Sequence, residues 1–249
     1  MRYLKIFYLN LSAYTLFFVF SGVGIPVFAA FVGLFRIFGS RRTTMKRLRR
    51  TINFYGRVVA RLPFPLVRVH YEDLSEKDNQ GPYIFVCNHR GTVDAFLIGY
   101  LPVELVQVVN VWPFSLPVLG ICARAAGYLD INTIGSEAFF KRASGLLAQG
   151  VSIVFFPEGT RSASREMGNF HSAAFRLSLE TKVPIVPVCM SGTENILKKG
   201  SSWLNPGTIS ICKLPAIQYE KFKDLNAYRL KNMVRKTIAD KLSLMEDAA

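Results

Sequence analysis

The sequence predicts an α/β fold: a single domain with a largely parallel central sheet flanked by helices, preceded by an N-terminal membrane-embedded helical segment. Three observations predict it. Short apolar runs of strand length alternate with helix-patterned stretches from Tyr83 onward. Two of those runs end in polar turns, the place where an open parallel sheet gathers its functional groups. The third is a stretch of 25 residues without a charge, Leu11 to Phe35, long enough for hydrocarbon. A chain of 249 residues suits one domain of moderate size plus such an appendage.

Taken as an unbroken helix, the apolar stretch would run about 37 Å against a hydrocarbon core of about 30 Å. Gly22, Gly24 and Pro26 interrupt its centre, so two shorter helices in an embedded hairpin fit the same composition. It is long for a secretory signal and ends in Arg36 rather than at a small-residue cleavage site. Charge follows the same division. Residues 1 to 71 hold twelve Lys or Arg and no Asp or Glu, so +12 of the net +14 lies there. Seven of these cluster from Arg36 to Arg50, against Arg2 and Lys5 before the apolar stretch. The positive-inside rule therefore expects everything after residue 36 in the cytoplasm, with the cluster against anionic headgroups. A basic run can also serve nucleic acid. Its place beside an apolar segment of membrane length assigns this one to lipid, with no nucleic-acid partner. Residues 1–50 are expected to form the membrane segment with its basic cluster, and 51–249 the α/β domain.

Along the domain, Arg57 to His70 and the polar stretch Tyr71 to Pro82 form the lead-in, with Gly81-Pro82 as a turn. Tyr83–Cys87 reads as a buried strand and Val103–Asn110 as a second. Ser136–Gln149 is an amphipathic helix ending at Gly150. Val151–Phe156 is a strand and Phe170–Thr181 a helix. Val183–Cys189 is a strand whose Pro184 and Pro187 predict an edge or irregular position. Thr208–Lys213 is a late strand and Leu225–Leu244 a terminal helix. Cys87, Cys122, Cys189 and Cys212 show no ligand spacing and read as reduced, mostly buried thiols. No cluster suggests a metal. His70 sits in a strand-face alternation. His171 lies at a helix start, facing solvent or capping, with a substrate contact as its alternative.

Two turns carry chemistry. The strand Tyr83–Cys87 runs into Asn88-His89, with Asp94 five positions on. A His takes a proton near neutral pH, and a nearby carboxylate fixes its tautomer. The strand Val151–Phe156 runs into Pro157-Glu158-Gly159-Thr160-Arg161-Ser162. Gly159 lets a ligand approach the backbone, Arg161 offers a fixed fork of donors, and Glu158 can orient either. Taken alone, the second turn also fits an ordinary surface turn with a structural salt bridge. If the two strands are parallel and close, both turns open together, and an Arg beside a His then points to a phosphate-bearing substrate.

The blocks NHRGTVD, FPEGTRS and VPIVPV, in that order, resemble the glycerolipid acyltransferases of the 1-acylglycerol-3-phosphate acyltransferase (lysophosphatidate acyltransferase) family over about residues 80–215. The resemblance implies that His89 and Asp94 are catalytic and that Glu158, Gly159, Thr160 and Arg161 bind substrate. It places Val183 to Val188 on the acyl side. The implied reaction moves a fatty acyl group from acyl-CoA or acyl-carrier protein to the free hydroxyl of a lysophospholipid, 1-acylglycerol-3-phosphate giving phosphatidate. His89 would be general base, held by Asp94, with no resident cofactor or metal. The implied partners are membrane lipids, the acyl donor and the lysophospholipid, at a cytoplasmic membrane. Two departures qualify the acceptor. A third block, Gly-x-x-x-x-Asp-Arg in the family, reads Gly127 to Thr133 here, with Asn132 and Thr133 in the charged places. Asn169-Phe170-His171-Ser172 stands where a basic residue is common. Arg161 remains, with Arg90, Lys141 or Arg142 as candidate replacements. Another lyso-lipid, such as lyso-ornithine lipid, is the alternative acceptor, and a non-catalytic membrane lipid-binding protein is the reading outside enzymology.

Overall fold

The uncharged N-terminal stretch folds as one continuous helix, α1 (Arg2–Phe38), with Pro26 inside it. At 37 residues it is about 55 Å long. The computed structural model describes residues 2–75, 81–110, 117–130, 134–162, 166–198 and 200–247. A second helix, α2 (Arg41–Arg61), follows almost at once, and its first turn is capped by Ser40, whose Oγ accepts from the Thr43 N–H at 3.2 Å. The sequence reading treated this stretch as a charge cluster and missed its helical period. Thr44, Leu48, Asn53, Gly56 and Ala60 are buried on one side while Lys46, Arg47, Arg50 and Phe54 are exposed.

The strands are β1 (Val67–Asp73), β2 (Ile84–Cys87), β3 (Leu105–Gln107), β4 (Ser152–Phe155), β5 (Ile185–Ser191) and β6 (Gly207–Lys213). They form one sheet in the order β1-β6-β5-β2-β4-β3. β5, β2, β4 and β3 run parallel, and β6 is antiparallel to β5. The remaining helices are α3 (Asp94–Leu97), α4 (Pro117–Ala126), α5 (Ser136–Ala148), α6 (Ala173–Thr181), α7 (Thr193–Ile196) and α8 (Ala227–Asp247). β2 and β4 are buried at every position, as central parallel strands covered on both faces must be. Phe139 and Leu147 of α5, Phe175 and Leu177 of α6, and Leu230, Val234 and Ile238 of α8 close over Ile84, Ile153 and Cys189. That apolar burial is the main force holding the sheet's layers together.

One strand departs from expectation. Its prolines predict an edge or irregular position, and the edge alternative fails, because β5 lies between β2 and β6 and is buried throughout. The reason is register. Pro187 precedes the first pair of the β5–β6 ladder, Val188 with Lys213, and its carbonyl accepts from the Leu214 N–H at 3.0 Å. The donor it lacks would face just past the end of β6, so no ladder bond is lost. The Pro184 carbonyl likewise accepts from the Ile84 N–H at 3.0 Å.

Contacts divide the chain into two units. The first comprises Met1–His70, Gly91–Leu101 and Gly192–Ile209; the second comprises Tyr71–Arg90, Pro102–Ser191 and Ser210–Ala249. Within the first, Phe20 of α1 stacks on Tyr55 of α2 at 5.4 Å between ring centroids, and Ser21 Oγ lies 2.7 Å from the Tyr55 hydroxyl. Asn10, buried in α1, donates to the Leu204 carbonyl at 2.9 Å and accepts from the Leu204 N–H at 2.8 Å. α3 and the 3-10 turn after it press on α2 backbone to backbone. A Cβ at Gly99 would fall 2.2 Å from the Asn53 carbonyl oxygen, and one at Gly56 would fall 2.9 Å from that of Phe96. The Arg57 guanidinium donates to the Gly99 carbonyl at 3.0 and 2.8 Å.

Candidate active site

β2 and β4 lie side by side in a register pairing Ile84 with Ile153 and Val86 with Phe155. Carried three residues beyond Val86, the same offset sets His89 beside Glu158. The His89 N–H donates to Glu158 Oε1 at 2.7 Å. The two motif turns are thus bonded to each other at the carboxyl ends of adjacent parallel strands, the position where such sheets hold their sites.

Glu158 is 7% exposed, and its carboxylate serves the protein itself. Oε2 accepts from the Ser162 hydroxyl at 2.6 Å and from the Gly168 N–H at 2.8 Å. Three donors on one buried carboxylate make a charge-assisted clasp across both turns and the segment after them. The His89 carbonyl is held as well, accepting from the Ser162 N–H at 2.9 Å. Asn88 anchors the residue before: its amide donates to the Met190 carbonyl and accepts from the Met190 N–H, both at 2.8 Å. With its backbone fastened on every side, His89 presents a half-buried imidazole, packed 4.6 Å from the Phe156 ring at a 39° tilt.

Asp94 belongs to the first unit and His89 to the second, the division falling between Arg90 and Gly91. Asp94 is fully buried at the start of α3, where Oδ2 accepts from the Gly91 N–H at 2.8 Å. A Cβ on Gly91 would meet the Thr193 side chain and carbonyl at 2.7 and 2.8 Å, so this turn has room only for glycine.

The second turn is open where a ligand would approach. Gly159 and Thr160 are exposed, and Gly159 has φ +70°, a left-handed conformation that favours glycine. Its carbonyl accepts from the Asn110 amide at 2.9 Å. The His171 N–H donates to the Pro157 carbonyl at 2.7 Å, and its ring lies close enough that a Cβ at 159 would sit 3.1 Å from Nε2. His171 therefore stands against the Glu158–Arg161 turn. Arg161 is half-buried in it.

Of the candidate replacements for the missing positive charge, Arg90 is 5% exposed and ion-paired with Glu246 of α8. Lys141 and Arg142 are exposed on α5. Asn132 and Thr133 lie outside the described residues. Sequence reasoning missed Ser162, Gly168 and Asn110 as parts of the site. Ser162 ends a recognised block; the other two carry no local signal because register alone brings them in. His70 is exposed on β1. Cys87, Cys189 and Cys212 are buried free thiols. Burial pushes the Cys189 and Cys212 thiols up to about 12 and about 11, which leaves them protonated and unreactive at neutral pH. Among the described residues no three His, Cys, Asp or Glu side chains cluster as a metal site would need.

A family model described as Acyltransferase matches residues 67–191, half of the chain and the whole stretch holding both turns. A 1-acyl-sn-glycerol-3-phosphate acyltransferase of Chlamydomonas reinhardtii is 29% identical over 165 residues, covering 65% of this chain and 48% of its own. A chloroplastic 1-acyl-sn-glycerol-3-phosphate acyltransferase of Arabidopsis thaliana is 27% identical over 186 residues, covering 73% and 51%. The chain spans about half the length of these curated relatives. The crystal structure of the 1-acyl-sn-glycerophosphate acyltransferase from Thermotoga maritima shares the fold, with a TM-score of 0.79, 22% identity, and 99% and 98% of the two chains covered. With the matched stretch reaching from β1 to the end of β5 and taking in both bonded turns, the chain belongs to the acyltransferase family.

Proposed function

We propose that the protein transfers a fatty acyl group from a thioester donor, acyl-CoA or acyl-carrier protein, to the free hydroxyl of a lysophospholipid, with 1-acylglycerol-3-phosphate as the acceptor and phosphatidate as product. The observation that carries this reading is the direct bond from the His89 backbone to Glu158, which ties the base-bearing turn to the Gly159–Arg161 turn. In the mechanism, His89 takes the proton from the acceptor hydroxyl and Asp94 favours the charged imidazole. The oxygen attacks the thioester carbonyl, forming the C–O bond. As the tetrahedral intermediate collapses, the C–S bond breaks and the departing thiolate takes the proton back from His89. Arg161, from its exposed glycine turn, pairs with the acceptor phosphate. Glu158 acts by holding the two turns together. Metal and cofactor have no part in this scheme.

The site works at a membrane in this reading. α1 is long and apolar enough to cross one, with Phe18 and Val27 exposed to 68% and 64%. Its bonds at Asn10 and Tyr14 to the 202–204 segment and its packing on α2 fasten it at several points to the same unit. That favours embedding in the cytoplasmic leaflet over a full crossing, with the catalytic turns facing the cytoplasm and the basic residues of α2 near anionic headgroups.

The test is turnover by the full chain in detergent or vesicles, with a panel of lyso-lipid acceptors and products identified by mass spectrometry. His89→Ala should lower turnover by about 10²–10⁴-fold with the protein still folded. Folded His89→Ala with undiminished turnover would sink the mechanism. A second reading, an acceptor lacking the glycerol phosphate such as lyso-ornithine lipid, is favoured by one observation: Arg90 is engaged with Glu246 and does not replace the missing block Arg. The same panel separates the two readings, since strong preference for 1-acylglycerol-3-phosphate removes the second.

A further inference from the structure

His89 is held through its own N–H and carbonyl and through Asn88, all by partners within the sheet and its turns. The tether on its other side is different. The Arg90 side chain, 3% exposed, reaches away to ion-pair with Glu246, in the last turn of α8 and 156 positions along the chain. α8 lies on β5, where the Cys189 thiol contacts the Ile238 carbonyl at 3.8 Å, and the positive charge of Arg90 is felt at that thiol. Arg90 is buried while the Glu246 side chain is 29% exposed, so desolvation of the guanidinium offsets much of the pair's attraction. What it does supply is direction: the planar guanidinium fork bonds along fixed lines.

We propose that Glu246 is a positioning residue for the proton-accepting His, acting through Arg90 to fix the turn from which the imidazole projects. The inference rests on the reading of His89 as general base. It also explains why Arg90 is not a ligand for the acceptor headgroup: its charge is committed inside the fold.

The experiment compares steady-state turnover and thermal unfolding of full-length wild type, Glu246→Gln, Arg90→Lys, the exchange Arg90→Glu/Glu246→Arg, and the apolar pair Arg90→Met/Glu246→Met. Glu246→Gln and Arg90→Lys should lose about tenfold or more in kcat, with KM for donor and acceptor within about twofold. The exchange should recover part of the kcat. The Met pair removes the buried charge together with its partner, so no uncompensated charge is left at position 90. It should melt at or above the wild-type temperature while keeping the kcat defect. Wild-type kcat in the Met pair, or a defect that falls on acceptor KM, overturns the proposal. His89→Ala is assayed alongside. If it keeps full turnover, the base reading fails and this inference with it. If it is inactive while the Met pair is fully active, this inference alone fails.

Discussion

Glu158, expected in the substrate-binding turn, also ties the two motif turns together. Glu158 accepts three hydrogen bonds, from the His89 N–H, the Ser162 hydroxyl and the Gly168 N–H. In Glu158→Gln an amide NH2 must face at least one of those donors. The expected cost is about 1–3 kcal/mol in urea unfolding, with turnover falling further than stability because His89 loses its clasp. Gly159→Ala acts on the other turn. It places a Cβ at φ +70° and 3.1 Å from the His171 ring, so the turn must shift. Acceptor KM should rise several-fold while donor KM stays near wild type, as a competition assay would show. At this scale the sequence displayed the candidate reacting groups, because His89, Asp94 and Arg161 sit in contiguous blocks. It hid their supports, because Gly168, Asn110 and Glu246 are selected by register and packing.

Among the elements, α2 was the least legible and β5 the most misleading. The charge of α2 masks its buried stripe, and the prolines of β5 suggest an edge or an irregular strand, whereas Pro187 stands one residue before the first pair of an internal ladder. α2 matters because α3, which carries Asp94, presses directly on it. Gly99→Ala would drive a methyl to within 2.2 Å of the Asn53 carbonyl. Overpacking of this kind should destabilise by about 1–3 kcal/mol and reduce turnover together with the melting temperature. A second element pair is electrostatic. Lys213 of β6, 1% exposed, donates to Asp73 of β1 at 3.2 Å and to Ser75 at 2.7 Å. Burial pushes the Asp73 carboxyl up, but the Ser75 hydroxyl and N–H and the Lys213 ammonium overrule it and hold it below its ordinary value. A carboxyl lowered by folding stabilises above its unfolded value, about 3.9, and that contribution is lost as pH falls through the lower folded value. Asp73→Asn should therefore destabilise the protein at neutral pH and flatten the acid limb of stability against pH, read by denaturant titration from pH 6 to 2.

For the molecule as a whole, the division of charge was the most legible feature. All but a small part of the net charge lies in the first 71 residues, and α1 and α2 bear all of its basic residues but Arg68. Binding to anionic vesicles should weaken as salt rises from low to moderate concentration, while binding to neutral vesicles, driven by α1, should hardly change; co-sedimentation measures both. What the sequence could not display is the interleaving, in which the first unit draws on three separate stretches of chain. That interleaving sets a timetable for synthesis. Asn10 meets its partner Leu204 only 194 residues later, about 10–40 s after it leaves the ribosome at 5–20 residues per second. Its amide also bonds the Ile6 carbonyl one turn back, at 2.8 Å, a partner within α1 that does not wait for Leu204. The bond that locks α1 within its unit can form only after residue 204 has been made.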